Sequence, residues 1–137
     1  MIRFLSDNRW VEFDSMEQIC NLFVTHDDIM IIAPRTDPIT LEDGTIITPT
    51  SAVRILLTIA VQKHLDKEAQ KKQYDTIYTA ALRAGYTGPF HDEGVKYATW
   101  MDSVWAYVVQ VFADVDASIR TLPTSAELLL ELPVFVP

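Results

Sequence analysis

Tyr97-Ala98-Thr99-Trp100-Met101-Asp102-Ser103-Val104-Trp105-Ala106-Tyr107-Val108 is the stretch on which the fold turns. Its apolar residues recur at intervals of three and four, the spacing that lines up side chains on one face of an α-helix. The pattern continues through Val111, Phe112 and Val115, so the spacing predicts a helix from about His91 to Ala117, about seven turns long. Trp100 and Trp105 stand five residues apart and project about 140° from each other. Tyr97, Met101, Val104, Val108, Val111 and Val115 cover the arc between and around them. Such a helix is apolar over more than half its girth. Either it is the centre of a helical layer, or it carries a surplus face that another chain covers.

The flanking sequence reads as helix too. Downstream, Thr124 and Glu127 have capping-box spacing, Leu128, Leu129 and Leu130 follow, and Pro133 ends a short helix. The apolar closing segment Val134-Phe135-Val136-Pro137 is expected to fold back on its own helices or to add to a neighbouring chain as an extended segment. Upstream, Tyr74, Ile77, Tyr78, Ala81 and Leu82 keep the helical period until Gly85, before the turn-rich corner Tyr86-Thr87-Gly88-Pro89. Further back, Thr48 caps a helix that opens on Pro49. There Ile55, Leu56, Ile59 and Ala60 mark the inward face, and Lys63, Lys67, Lys71 and Lys72 mark the solvated stretch, with a pause expected near Asp66.

Before Thr48 the period is that of strands. Ile2–Leu5 and Trp10–Phe13 flank the polar turn Ser6-Asp7-Asn8-Arg9 and predict a hairpin. Asp14 and Glu17 have capping-box spacing for a short helix over about 15–25. The apolar run Ile29–Ala33 suits a buried strand. Pro38–Leu41 and Thr45–Thr48 bracket Glu42-Asp43-Gly44, a second hairpin whose Asp-Gly pair supplies positive φ. The expected fold is α+β: a small β-rich portion, 1–48, packed on a helical portion, 49–137, of three to four helices, as one compact domain.

Composition bounds the function. At 137 residues, 49% apolar and 22% charged, the chain is globular and long enough to fold on its own core. A net charge of −8 argues against a nucleic-acid partner, which needs a basic face. Most of the acidity lies in residues 1–50, which carry Asp7, Asp27, Asp28 and Glu42 among others and only Arg3, Arg9 and Arg35 as bases. Cys20 is the only cysteine, so no internal disulfide forms. The apolar start breaks into polar residues at Ser6, too early for an export signal, and no run approaches the roughly 20 apolar residues of a membrane span.

Catalytic signatures are sparse. His26-Asp27-Asp28, His64 and His91-Asp92 are ligand types for a divalent ion, and a metal-dependent hydrolase is a remote alternative. No predicted helix carries two histidines at ligand spacing, and each His-Asp pair abuts an element boundary, where Asp also serves as a cap. Cys20 beside Ile19 reads as a packed thiol. Gly44, Gly85, Gly88 and Gly94 make no phosphate loop. Asp114 and Asp116, two apart, diverge on a helix. Neither catalytic residue, cofactor nor metal is expected.

Several pieces taken together resemble a known module. They are Gln73-Tyr74-Asp75-Thr76-Ile77, Phe90 through Glu93, Trp100-Met101-Asp102-Ser103-Val104-Trp105-Ala106-Tyr107, Ala113-Asp114-Val115, Leu122-Pro123-Thr124-Ser125-Ala126-Glu127-Leu128 and Glu131-Leu132-Pro133. The set, over residues 73–133, resembles small proteins of tailed bacteriophages and prophages encoded near tail-fibre and tail-tip genes. Met101 and Ser118 stand where that family commonly carries Arg and Gly. The resemblance implies a non-enzymatic tail-associated structural or assembly role in the host cytoplasm or the virion tail. The partner is then a tail or tail-fibre protein, or a second copy of the chain in a homo-oligomer. Aromatic residues dominate binding energy at such interfaces, which singles out Trp100, Trp105, Tyr107 and Phe135 as anchors. An inhibitor of a host protein, steered by the acidic N-terminal portion, is the alternative.

Overall fold

In the computed structural model, which describes residues 2–24 and 35–137, β1 (Ile2–Ser6) and β2 (Arg9–Phe13) pair antiparallel around Asp7 and Asn8. Both turn residues stand at positive φ, 50° and 63°. A two-residue hairpin loop that matches the twist of its strands requires this, and Asp and Asn tolerate it. Register places Leu5 opposite Trp10 and Phe4 opposite Val11, and the Phe4 ring stacks on Phe13 at 5.7 Å. The short helix begins one residue later than its acidic spacing suggests. Ser15, not Asp14, caps α1 (Met16–Cys20) by accepting the Gln18 N–H at 3.3 Å, while Gln18 Oε1 accepts the Asp14 N–H at 2.9 Å. A 3-10 turn carries the chain to Phe23. The strand read at Ile29–Ala33 and the cluster His26-Asp27-Asp28 lie outside the described residues.

The second hairpin forms at its expected place, but of the Asp-Gly pair only Gly44 takes positive φ, because the strands close around a loop wider than two residues. β3 (Ile39–Thr40) pairs with β4 (Ile46–Ile47) around Asp43 and Gly44. Gly44 stands at φ 92°, a conformation that other residues rarely adopt. The Asp43 carboxylate accepts the Thr45 N–H, which holds its pKa below the usual value. Leu41 bridges Phe4, and the Glu42 N–H donates to the Arg3 carbonyl at 2.9 Å, so this hairpin joins β1 along its other edge. Phe4, Ile19, Cys20, Phe23, Ile39, Leu41, Ile47 and Ala52 close into one apolar core.

Thr48 opens α2 (Pro49–Gln70) as expected: its Oγ1 accepts the Ser51 N–H at 3.1 Å, and Ser51 Oγ accepts the Thr48 N–H at 2.8 Å. The chain divides into two compact units, Met1–Ile59 and Ala60–Pro137, and the division falls within the sequence of this helix. Its first turns belong to the core just described, through Ala52, Ile55 and Leu56. The line Leu57, Val61, Leu65 and Ala69 is buried and lies roughly opposite Lys63, Lys67 and Lys71. Ile55, Leu56, Ile59 and Ala60, the face read as inward, are only half-buried. The helix start is apolar almost all round, so the period alone does not single out one side.

No pause occurs at Asp66. Its carboxylate accepts Gln62 Nε2 at 3.0 Å and reaches across to the Ile77 N–H at 2.9 Å. A residue with the composition of a helix breaker instead satisfies the first N–H of α3 (Ile77–Leu82), an unpaired donor at every helix start. Thr76 Oγ1 accepts a second, from Thr79. After a 3-10 turn at Arg83–Gly85 comes α4 (His91–Asp116), close to its expected length. A Cβ on Gly94 would lie 2.5 Å from the Ala84 backbone nitrogen, so only glycine lets α4 approach this turn so closely.

At its other end α4 stops in a Schellman motif: Ser118 N–H donates to Val115 O at 3.1 Å and Ile119 N–H to Asp114 O at 2.8 Å, with Ser118 at φ 61°. Thr124 Oγ1 accepts the Glu127 N–H and starts α5 (Ser125–Glu131). Tyr97, Trp100, Val104, Val108 and Val111 of α4 are buried in this unit together with Leu128 and Leu132. N-terminal hairpins followed by helices make the chain α+β. None of the helices among the described residues is long and apolar enough to cross a membrane.

Candidate functional site

Trp100, Trp105 and Tyr107 lie on α4, and Phe135 lies beyond α5. Three of the four come together with one returning segment. Glu131, Pro133 and Phe135 meet Tyr107, Trp100 and Tyr97 in that order, so the chain runs back along α4 against its direction. The Tyr107 hydroxyl donates to Glu131 Oε1 at 3.0 Å. Trp100 Nε1–H donates to the Pro133 carbonyl at 2.8 Å. The Phe135 ring stacks on Tyr97 with centroids 4.4 Å apart and planes 7° from parallel, and tilts against Trp100 at 5.2 Å.

More rings complete the slot. Tyr74 meets Tyr97 edge-on at 5.9 Å, and its hydroxyl donates to Glu93 at 2.8 Å. His64 of α2 meets Trp100 edge-on at 5.9 Å. Aromatic pairs in these arrangements contribute about 0.5–1.5 kcal/mol each beyond the area they bury. Trp100 is 6% exposed, so it serves the core of its unit with its N–H satisfied. Within the returning segment the exposure alternates: Phe135 is half-buried, while Val134 and Val136 are 83% and 75% exposed.

A charged clasp locks the base of this segment. Arg120 grips Glu131 with both terminal guanidinium nitrogens, Nη1 and Nη2, at 2.8 and 3.0 Å. That grip holds the Glu131 carboxyl below its ordinary range and pushes the guanidinium up. Burial, and then the bond to Glu131, raises the Tyr107 phenol, and burial raises Tyr97. Spacing along α4 gave no sign of Arg120 and Glu131, which lie eleven residues apart across a reversal of the chain. The Thr124 cap marks where α5 starts but not which way it runs, so nothing local pointed to this pair.

Trp105 is half-buried and takes no part in the slot. On the same side of α4, Val109 is 65% exposed. A second apolar surface lies at the corner before α4. There Tyr78, Leu82, Tyr86 and Phe90 are exposed, and the Arg83 guanidinium lies 5.9 Å from the Tyr86 ring and 5.4 Å from the Phe90 ring.

In the first unit a cleft of about 290 Å³ is lined by Ile2, Arg3, Leu41, Glu42 and Asp43. Its guanidinium is already committed, since Arg3 pairs with Glu42 through two nitrogens and lies over the Trp10 ring at 5.1 Å. The Cys20 thiol is buried, and burial raises its pKa, which disfavours the thiolate. Among the described residues no three His, Cys, Asp or Glu side chains converge on a point. His64 faces Trp100, and His91 Nδ1 lies 3.0 Å from the Tyr86 carbonyl.

The assembled groups are flat rings, one indole donor and one ion pair, equipment for holding a peptide segment. Compared with protein-family models, with curated proteins and with solved structures, the chain matches none of them.

Proposed function

We propose that the protein acts by protein–protein interaction as a non-enzymatic, tail-associated component of a bacteriophage or prophage, either a structural part or an assembly factor for the tail fibre or tail tip. On this reading it works in the host cytoplasm during assembly or stays in the virion tail. The observation that carries the proposal is the uncovered side of α4: half-buried Trp105 with exposed Val109 one turn further on, apolar surface that the unit itself leaves uncovered. Trp105 is the anchor of this interface, because Trp100 and Phe135 are engaged within the chain and Tyr107 is clasped to Glu131. Trp105→Ala is expected to weaken binding to purified tail-fibre or baseplate protein at least tenfold with little change in melting temperature. A melting loss as large as that of a core truncation would show that Trp105 belongs to the interior.

The acidic surplus of residues 1–50 favours a second reading, an inhibitor steered to a basic host protein. Binding to fibre protein that survives high salt separates the first reading from the second, because electrostatic steering is screened.

A further inference from the structure

Residues beyond the Ser118 reversal form an arm that is docked on α4 largely through side chains. Leu128 and Leu132 are buried, Glu131 takes the Tyr107 hydroxyl, the Pro133 carbonyl takes the Trp100 indole, and Phe135 fills the slot beside Tyr97. At seven residues α5 is too short to persist undocked. The arm therefore needs this groove, and the groove fits this sequence.

We propose that the arm Ile119–Pro137 exchanges between two copies of the chain, each copy's Phe135 filling the Tyr97–Trp100 slot of the other. A second copy is the occupant because it alone offers the same side chains in the same order, so every contact named above is kept after exchange. The hinge is predisposed to open. Ser118 holds the reversal at φ 61°, a conformation in which a residue with a Cβ is strained, and an opened connection releases that strain at both hinges of the dimer. The exchange goes beyond the tail-associated reading and stands or falls independently of any phage protein.

Light scattering on the purified full chain at rising concentration reads the proposal directly. Wild type is expected to show a dimer that dissociates on dilution. Ser118→Gly removes the strain of the closed form and should lower the dimerisation constant about fivefold per hinge, roughly 25-fold in all. The second arm of the experiment mixes Tyr97→Ala with Phe135→Ala. Each variant alone spoils every slot, whereas an exchanged heterodimer regains one intact slot, so the mixture should contain several times more dimer than either variant alone. A chain that stays monomeric at all concentrations overturns the exchange, as does a dimer indifferent to Ser118→Gly and to mixing. An ordinary face-to-face dimer would show that indifference.

Discussion

Glu131 shows how one side chain ties several elements together. It receives the Tyr107 hydroxyl from α4 and both terminal guanidinium nitrogens of Arg120 from the reversal. Its carboxyl titrates below its ordinary value of 4.5 in the folded chain. A carboxyl with a depressed folded pKa contributes stability that is fully present above the unfolded value and is lost as pH falls through the folded one. Melting of wild type and Glu131→Gln should therefore differ most above pH 4.5, with wild type the more stable, and the gap should close on further acidification. Glu42 and Asp43 are depressed as well, but they titrate identically in both proteins and drop out of the comparison. A gap that persists unchanged at pH 3 would mean that the clasp is not held by charge. Reading the sequence singled out Tyr107 but not its partner, because nothing local connects residue 107 to residue 131.

At the scale of elements, the legible features were those that neighbours in sequence settle. The turn between β1 and β2, positive φ at Gly44, and the caps at Thr48 and Thr124 all follow from chemistry within four residues of each site. The departures have equally concrete causes. Asp14 was read as the cap of α1, but its neighbour Ser15 takes that place, because its oxygen is the one that reaches the Gln18 N–H. Asp66 was read as interrupting α2, but its carboxylate serves α3, eleven residues on. The α5 cap is directly testable. Thr124→Ala should cost about 1 kcal/mol, and because α5 is short the loss should appear as faster amide exchange at Glu127 and Leu128. Thr124→Ser, which keeps the acceptor oxygen, should restore protection. Equal exchange in all three proteins would assign α5 wholly to its tertiary contacts.

For the whole molecule, the decisive contact lies outside every local rule. Trp100 meets Pro133 and Phe135, more than thirty residues further along, and this pairing turns part of the over-apolar helix into core. Phe135→Ala should lower stability by about 2 kcal/mol, given its half-buried ring and its stacking on Tyr97, and should expose Trp100 to water, shifting its emission to the red. Val136→Ala, on the exposed side of the same segment, should leave both melting and emission within error. If the two substitutions act alike, Phe135 is not seated in the slot.

What the amino-acid order determined by itself was local: which segments are helix, the caps at Thr48 and Thr124, and the glycine in the second hairpin, because those choices are settled by hydrogen bonds within a turn or two. Only the tertiary structure decided which side of α2 and α4 is covered, and that Trp100 belongs inside while Trp105 and Val109 remain toward solvent. A helix apolar around most of its girth offers several faces of similar hydrophobic gain, and the choice among them falls to whichever distant segment brings rings and carbonyls that fit.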